Sequence, residues 1–188
     1  MKKRPILFSA PMVRAILDGR KTQTRRVAKE FAGRDNLDAI LRRFPNQQGC
    51  PHGEPGDRLW VRETWGQYQL APEDIVYRAD EDFPCGSPKR WRPSIHMPRW
   101  ASRITLEITG VRVERLQDIS EADAIAEGIE HTSDGFSVDE GRHFHAARAR
   151  DSFASLWDGL NEARGHGWEA NPWVWVIEFR RITTEDGK

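Results

Sequence analysis

The chain of 188 residues has only two cysteines, no net charge and no long apolar run. Cys50 and Cys85 are too few for a disulfide scaffold in a chain of this size, which favours a reducing compartment. No stretch approaches the ~20 apolar residues of a membrane span, and the N-terminus lacks the apolar core of a secretory signal. We therefore expect a cytoplasmic protein with no membrane partner.

Several common cofactor motifs are also missing from the sequence. It has no phosphate-binding P-loop, no dinucleotide fingerprint and no Gly-x-Ser-x-Gly elbow, so ATP, NAD and serine-hydrolase chemistry lack support. Cys50, His52, Cys85 and His96 are potential zinc ligands, but their spacing matches no finger or ribbon pattern. We predict no metal, no cofactor and no obligate protein partner.

What the chain does have is enough apolar content for one core. Hydrophobic residues make up 38% of the sequence, which suits a single domain over residues 1–188. Segments rich in turn formers or prolines interrupt the regular patterns, and we interpret them as insertions near 28–55, 66–100 and 130–171.

Residues 19–26, Gly-Arg-Lys-Thr-Gln-Thr-Arg-Arg, are the most informative segment. They follow an amphipathic pattern over 10–18 that predicts a helix ending at Gly19. A nucleophilic threonine needs a base, and a lysine serves only if burial or neighbouring cations lower its pKa. The flanking cations that could do so are Arg20, Arg25 and Arg26. The alternative is a solvated turn or an anion-binding patch without catalysis.

A second basic segment, 89–103, combines five Lys or Arg residues with two tryptophans and contains no acid. Arginine and tryptophan together can neutralise phosphates and stack on bases, which favours contact with nucleic acid. The alternative is that the tryptophans pack on the domain while the arginines reach water. The candidate binding residues in this segment are Arg90, Trp91, Arg92, Arg99 and Trp100.

Hydrophobic periodicity and turn residues predict the remaining elements. Ser120 is a good N-cap for a short helix ending at Gly128, which places Glu127 in its last turn. The helix dipole disfavours a carboxylate there, so we expect a cationic partner, either Lys21 or an arginine of the motif. The alternative is an exposed glutamate. Further strands are predicted over 5–9, 22–27, 58–65 and 173–179, and a longer helix over 142–162. Residues 103–116 are predicted to form either one long strand with a bulge at Gly110 or two strands.

Gly19, Lys21 and Arg26 have the spacing of the Gly-x-Lys-x-x-Glu-x-Arg motif of ASCH domains, and the chain resembles that family. Thr24 replaces the usual glutamate, as in the small ASCH amidohydrolases that deacetylate N4-acetylcytidine. The resemblance implies an α+β fold, a small PUA-like β-barrel with flanking helices, here with long insertions as in phage and prophage members. It also implies a catalytic set of Thr24, Lys21 and, through the similar segment 116–129, Glu127.

The activity that this resemblance implies is hydrolysis of an acyl group from the exocyclic amine of cytosine. Thr24 would be the nucleophile, Lys21 the base, and Glu127 the residue that holds the lysine or activates water. Glu63 is the reserve candidate for the acid. The expected partner is a modified nucleoside or RNA. The alternatives are an RNA-binding module without catalysis and a ribonuclease that uses the same basic cleft.

Overall fold

The computed structural model describes residues 1–32, 49–68, 71, 73–80, 82–83, 86–138 and 146–182. It is a mixed α+β structure, as the sequence predicted. In chain order the elements are β1 (Lys3–Leu7), α1 (Ala10–Leu17), β2 (Gln23–Val27), β3 (Arg58–Arg62), β4 (Trp65–Gln67), β5 (Ile75–Tyr77), β6 (Thr105–Arg115), α2 (Glu121–Ala126), β7 (Glu130–Thr132), β8 (Gly135–Ser137), α3 (Ala149–Asn161) and β9 (Trp173–Ile182).

The main sheet has five strands in the order β1-β3-β6-β9-β2. β1 pairs with β3 in parallel, and the other pairs are antiparallel. The two end strands approach each other through a side chain, because Arg26 Nη2 on β2 donates to Leu7 O on β1 at 2.8 Å. Arg26 is the last residue of the basic segment 19–26, so this segment ends at the contact between the two strands.

The apolar run of β9 fixes both faces of the sheet. Trp173, Trp175 and Ile177 point into the core cluster that contains α1, whereas Val174 and Val176 point into the cluster that contains α3. Because alternate residues of a strand face opposite sides, a continuous apolar run marks a strand that is covered on both faces.

The long strand β6 bends at Gly110, as predicted. Its pairing register with β9 shifts between Ile108 and Gly110. A side chain at Gly110 would collide with the carboxylate of Glu178. The glycine therefore leaves room for the Glu178 side chain beside the bulge.

The short helix α2 begins and ends where the sequence predicted. The N–H of Asp123 donates to the Ser120 hydroxyl at 3.0 Å, and Gly128 follows the helix with a φ of 101°. A Cβ at Gly128 would lie 3.1 Å from Ala15 Cβ and 3.4 Å from Lys21 Cβ. This glycine therefore lets the end of α2 pack directly against the motif.

The helix predicted over 142–162 is shorter in the structure, where α3 begins at Ala149. Ala146 instead pairs with Phe136 as an isolated bridge, and Arg148 has extended backbone angles (φ −129°, ψ 143°) that end any helix approaching from the N-terminal side. Residues 139–145 lie outside the described part of the chain. Within the described ranges, no helix is long and apolar enough to cross a membrane.

Candidate active site

The motif, residues 19–26, runs from the end of α1 into β2, and its backbone is hydrogen-bonded to both α1 and α2. Gly19 has a φ of 76°, which lets the chain turn out of α1. The Lys21 N–H then donates to Ala15 O at 2.9 Å, and the Thr22 N–H donates to Ala126 O on α2 at 2.9 Å. These backbone bonds fix the start of β2 beside the C-terminus of α2.

Lys21 is buried, and its ammonium group contacts Glu127. Nζ donates to the Glu127 carboxylate (Oε2, 2.7 Å) and to the Glu127 carbonyl oxygen (2.6 Å). Burial lowers the pKa of Lys21 below its ordinary value, and the charges of Arg26 and Arg25 lower it further, while Glu127 opposes the shift. The cationic partner predicted for Glu127 is therefore present.

The Glu127 carboxylate has a second cation on its other oxygen. Arg25 Nη1 donates to Oε1 at 3.1 Å, while the same guanidinium donates to Glu114 Oε1 on β6 through Nη2 (2.6 Å) and Nε (3.0 Å). Arg112 then joins Glu114 to Asp123. A buried charge is costly unless it is paired and hydrogen-bonded, and here the pairs satisfy one another.

A cavity of about 640 Å³ opens against this network. Thr24 and Glu127 line it, and the buried face of α3 contributes an apolar part of its wall. Thr24 is 3% exposed, and its hydroxyl has no hydrogen bond to any described residue. Lys21 pairs with Glu127 and does not itself line the cavity. The apolar wall consists of Phe153, Leu156, Trp157 and Leu160.

Arg20 and Glu63, two further predicted site residues, do not line this cavity. Arg20 pairs with Asp18 (2.9 Å) and Glu130 (3.3 Å) at the edge of the motif. Glu63 is paired with Arg103, which donates to its two oxygens at 3.0 and 3.1 Å. Burial raises the pKa of Glu63 above its ordinary value, against the opposing effect of Arg103.

The tryptophans and arginines of 89–103 form a separate surface, which we call the Trp/Arg surface. Arg92 stacks on Trp65 at 4.8 Å, and Trp100 meets the same ring edge-on at 5.7 Å. Trp91 contacts Phe83 at 5.5 Å. Trp100 is 67% exposed, and among the described residues of this segment only Ser94 lines the cavity. The remaining two predicted residues are exposed: Arg90, and Arg99, which lies 5.8 Å from the Trp60 ring.

The cavity also contains residues that the sequence did not single out. His52 lies in it, and burial, aided by the nearby Arg26 charge, lowers its pKa to about 4, so its imidazole is neutral at physiological pH. Lys29 and Arg164 line the cavity as well. The periodicity of α3 indicated a buried face, but no local signal indicated that this face would meet the motif.

No protein-family model matches the chain, and no curated protein matches it by sequence. Among solved structures, an ASCH domain from Lactobacillus crispatus is similar at 12% identity and a TM-score of 0.45, over 96% of this chain and 79% of that one. A protein of Enterococcus faecalis assigned to the DUF984 family model is similar at 11% identity and a TM-score of 0.44, over 97% of this chain and 80% of the other. A hypothetical protein is 14% identical with a TM-score of 0.43, over 97% of this chain and 100% of its own.

Proposed function

We propose that the chain is an ASCH-type amidohydrolase that removes an acyl group from the exocyclic amine of cytosine. One observation carries the proposal: a buried lysine held by a glutamate lies three residues before a threonine that lines a cavity and whose hydroxyl has no hydrogen-bond partner among the described residues. These are the three residues that the motif resemblance names as the catalytic set. A nucleophile beside a base that is itself positioned by a third group is the general pattern of covalent hydrolysis.

In the proposed reaction, Thr24 Oγ1 attacks the carbonyl carbon of the acyl group while its proton passes to the neutral amine of Lys21. The tetrahedral intermediate then collapses, the carbon–nitrogen bond breaks, and Lys21 returns the proton to the cytosine nitrogen. Water next attacks the acyl-threonine and gives a proton to Lys21; the bond between the acyl carbon and Thr24 Oγ1 then breaks as Lys21 returns the proton to Oγ1, which leaves the free carboxylic acid and the regenerated hydroxyl. Each proton therefore moves through one residue.

The surroundings of Lys21 suit this role in both protonation states. Burial and the two arginines lower the pKa against the opposing effect of Glu127, which increases the neutral fraction of the amine relative to an ordinary lysine. Once Lys21 is protonated, Glu127 Oε2 at 2.7 Å stabilises the ammonium group. Both described hydrogen bonds of Nζ go to Glu127, so catalysis requires Nζ to exchange its bond to the Glu127 carbonyl oxygen for one to Thr24. Such an exchange fits the general finding that catalytic hydrogen bonds tighten when substrate is bound.

A second candidate function is RNA binding without catalysis. It is favoured by Trp100, which is 67% exposed and contacts Trp65, the ring over which Arg92 also lies. An exposed indole close to a cation can stack on unpaired bases. This function requires neither the Thr24 hydroxyl nor a lowered pKa of Lys21.

The deciding experiment is a chromatographic assay of N4-acetylcytidine conversion to cytidine. Thr24→Val preserves the shape of the side chain and removes the nucleophile, so we expect it to abolish turnover. Thr22→Val is the matched control, because Thr22 is exposed two residues earlier in the same motif, and it should retain activity. A folded wild-type protein without turnover would contradict the proposal and favour RNA binding.

A further inference from the structure

The cavity beside Thr24 has an excess of positive charge. Arg26, Lys29 and Arg164 line it, and among the described residues none of the three has an acidic group within ion-pair distance. Glu127 is the one carboxylate among the described lining residues, and Lys21 and Arg25 already pair with it. The cavity therefore holds cations whose charge the described part of the protein does not neutralise.

Two of these cations are close along the chain, Arg26 on β2 and Lys29 just after it. Arg26 donates one bond to Leu7 O at 2.8 Å, and its guanidinium lies 5.3 Å from the Phe8 ring, which leaves other N–H groups available. Lys29 begins a short helical turn whose next two residues are anchored. Glu30 accepts a hydrogen bond from Trp175 Nε1, and Phe31 is fully buried. Lys29 itself remains exposed at the cavity.

Arg164 lies on an anchored turn that follows α3. Trp157 Nε1 on α3 donates to the carbonyl oxygen of His166 at 2.7 Å, and the His166 N–H donates back to Asn161 O at 3.2 Å. Gly165 takes the left-handed backbone conformation, with a φ of 74°, that reverses the chain there. The turn after α3 is thus held in place, and Arg164 lies on it at the edge of the cavity.

The same cavity has an apolar part of its lining on α3, from Phe153, Leu156, Trp157 and Leu160. Aromatic and aliphatic side chains in the same cavity as unpaired cations fit a ligand with an aromatic body and an anionic end. A neutral nucleoside would leave the cations unused, whereas a nucleotide would place its base along the wall and its phosphate between the cations.

We propose that the cavity binds a phosphate-bearing cytidine, with the phosphate held by Arg26, Lys29 and Arg164. The identity of the base rests on the proposed function, whereas the phosphate preference rests on the charge and shape of the cavity. Guanidinium and ammonium groups are the usual protein ligands of phosphate, and their attraction to it weakens as salt screens the charges. The three cations are therefore specificity-determining residues, distinct from the group that reacts.

The test is equilibrium binding by calorimetry at low and moderate salt, with cytidine, cytidine 5′-monophosphate and a cytidine-containing trinucleotide as probes. We expect the monophosphate to bind about tenfold more tightly than cytidine at low salt, a difference of ~1.4 kcal/mol. The double variant Lys29→Gln with Arg164→Gln should remove this advantage. Arg180→Gln, which changes a cation on β9 paired with Glu107, is the matched control and should keep it.

Equal affinities for cytidine and its monophosphate would overturn the proposal, as would an advantage that survives in the double variant. Tighter binding of the trinucleotide than of the monophosphate would support it and identify RNA as the source of the phosphate. Equal binding of the two would support it with a mononucleotide as the source. Because binding is measured without turnover, a protein that binds the phosphate and fails to hydrolyse N4-acetylcytidine would contradict the proposed function alone.

Discussion

Glu127 and Glu63 are both almost fully buried and both accept hydrogen bonds from an arginine, but they lie in different parts of the molecule. Glu127 has two cationic partners, Lys21 and Arg25, and lines the cavity. Glu63 accepts a bidentate contact from Arg103 and does not line it. A buried, paired carboxylate is therefore not in itself evidence of function; its access to a cavity and its second partner distinguish the two.

The largest expected difference between the two glutamates is in turnover. Glu127→Gln leaves the protonated form of Lys21 without its carboxylate, so we expect kcat for N4-acetylcytidine to fall by about 100-fold or more, the scale of a general acid–base contribution. Glu63→Gln should leave kcat per folded molecule unchanged. The measurement is steady-state kinetics with the folded fraction of each variant checked by circular dichroism. Similar losses in both variants would contradict the distinction.

The second largest expected effect is on the free energy of unfolding, where loss of the cation beside Glu63 should cost more than loss of the lysine beside Glu127. Arg103→Met leaves the Glu63 carboxylate buried without its arginine, and breaking such a pair costs about 3 kcal/mol of unfolding free energy. Lys21→Met removes a buried amine and leaves Glu127 paired with Arg25 at 3.1 Å, so we expect a cost of about 1 kcal/mol. Urea denaturation at neutral pH measures both values. A larger cost for Lys21→Met than for Arg103→Met would show that Arg25 does not compensate for the lost lysine.

The local parts of this structure could be predicted from the sequence. The end of α1 at Gly19, the bulge at Gly110, and the helix between Ser120 and Gly128 each depend on residues that are close along the chain. Capping side chains and glycines act over one turn, so their effect is visible without the fold. The same local signal placed Glu127 at the end of a helix and predicted its cationic partner.

The parts that could not be predicted depend on contacts between distant segments. Arg25 is buried because Glu114 and Glu127 reach it from β6 and α2, 89 and 102 residues along the chain. The weak alternation of polar and apolar residues along β2 does not indicate that Arg25 is buried. Likewise, Glu63 could not be separated from Glu127 by sequence, because its arginine is 40 residues away. The wall of the cavity comes from α3, whose start was predicted too early because the bridge at Ala146 is a tertiary contact.

The smallest expected effect is the opposite pH dependence that the two buried pairs give to stability. Burial lowers the pKa of Lys21 from 10.5. Between the lowered pKa and about 10.5, Lys21 is therefore more protonated in the unfolded chain than in the folded one. Over this range the free energy of unfolding rises with pH. Burial raises the pKa of Glu63 from 4.5. Between 4.5 and the raised value, Glu63 is therefore more protonated in the folded chain than in the unfolded one. Over this range the free energy of unfolding falls as pH rises. Denaturation over these two pH ranges should therefore give a positive slope that Lys21→Met removes and a negative slope that Glu63→Gln removes. If Lys21→Met left the alkaline slope intact, the lysine would titrate as in the unfolded chain and could not act as the base for Thr24.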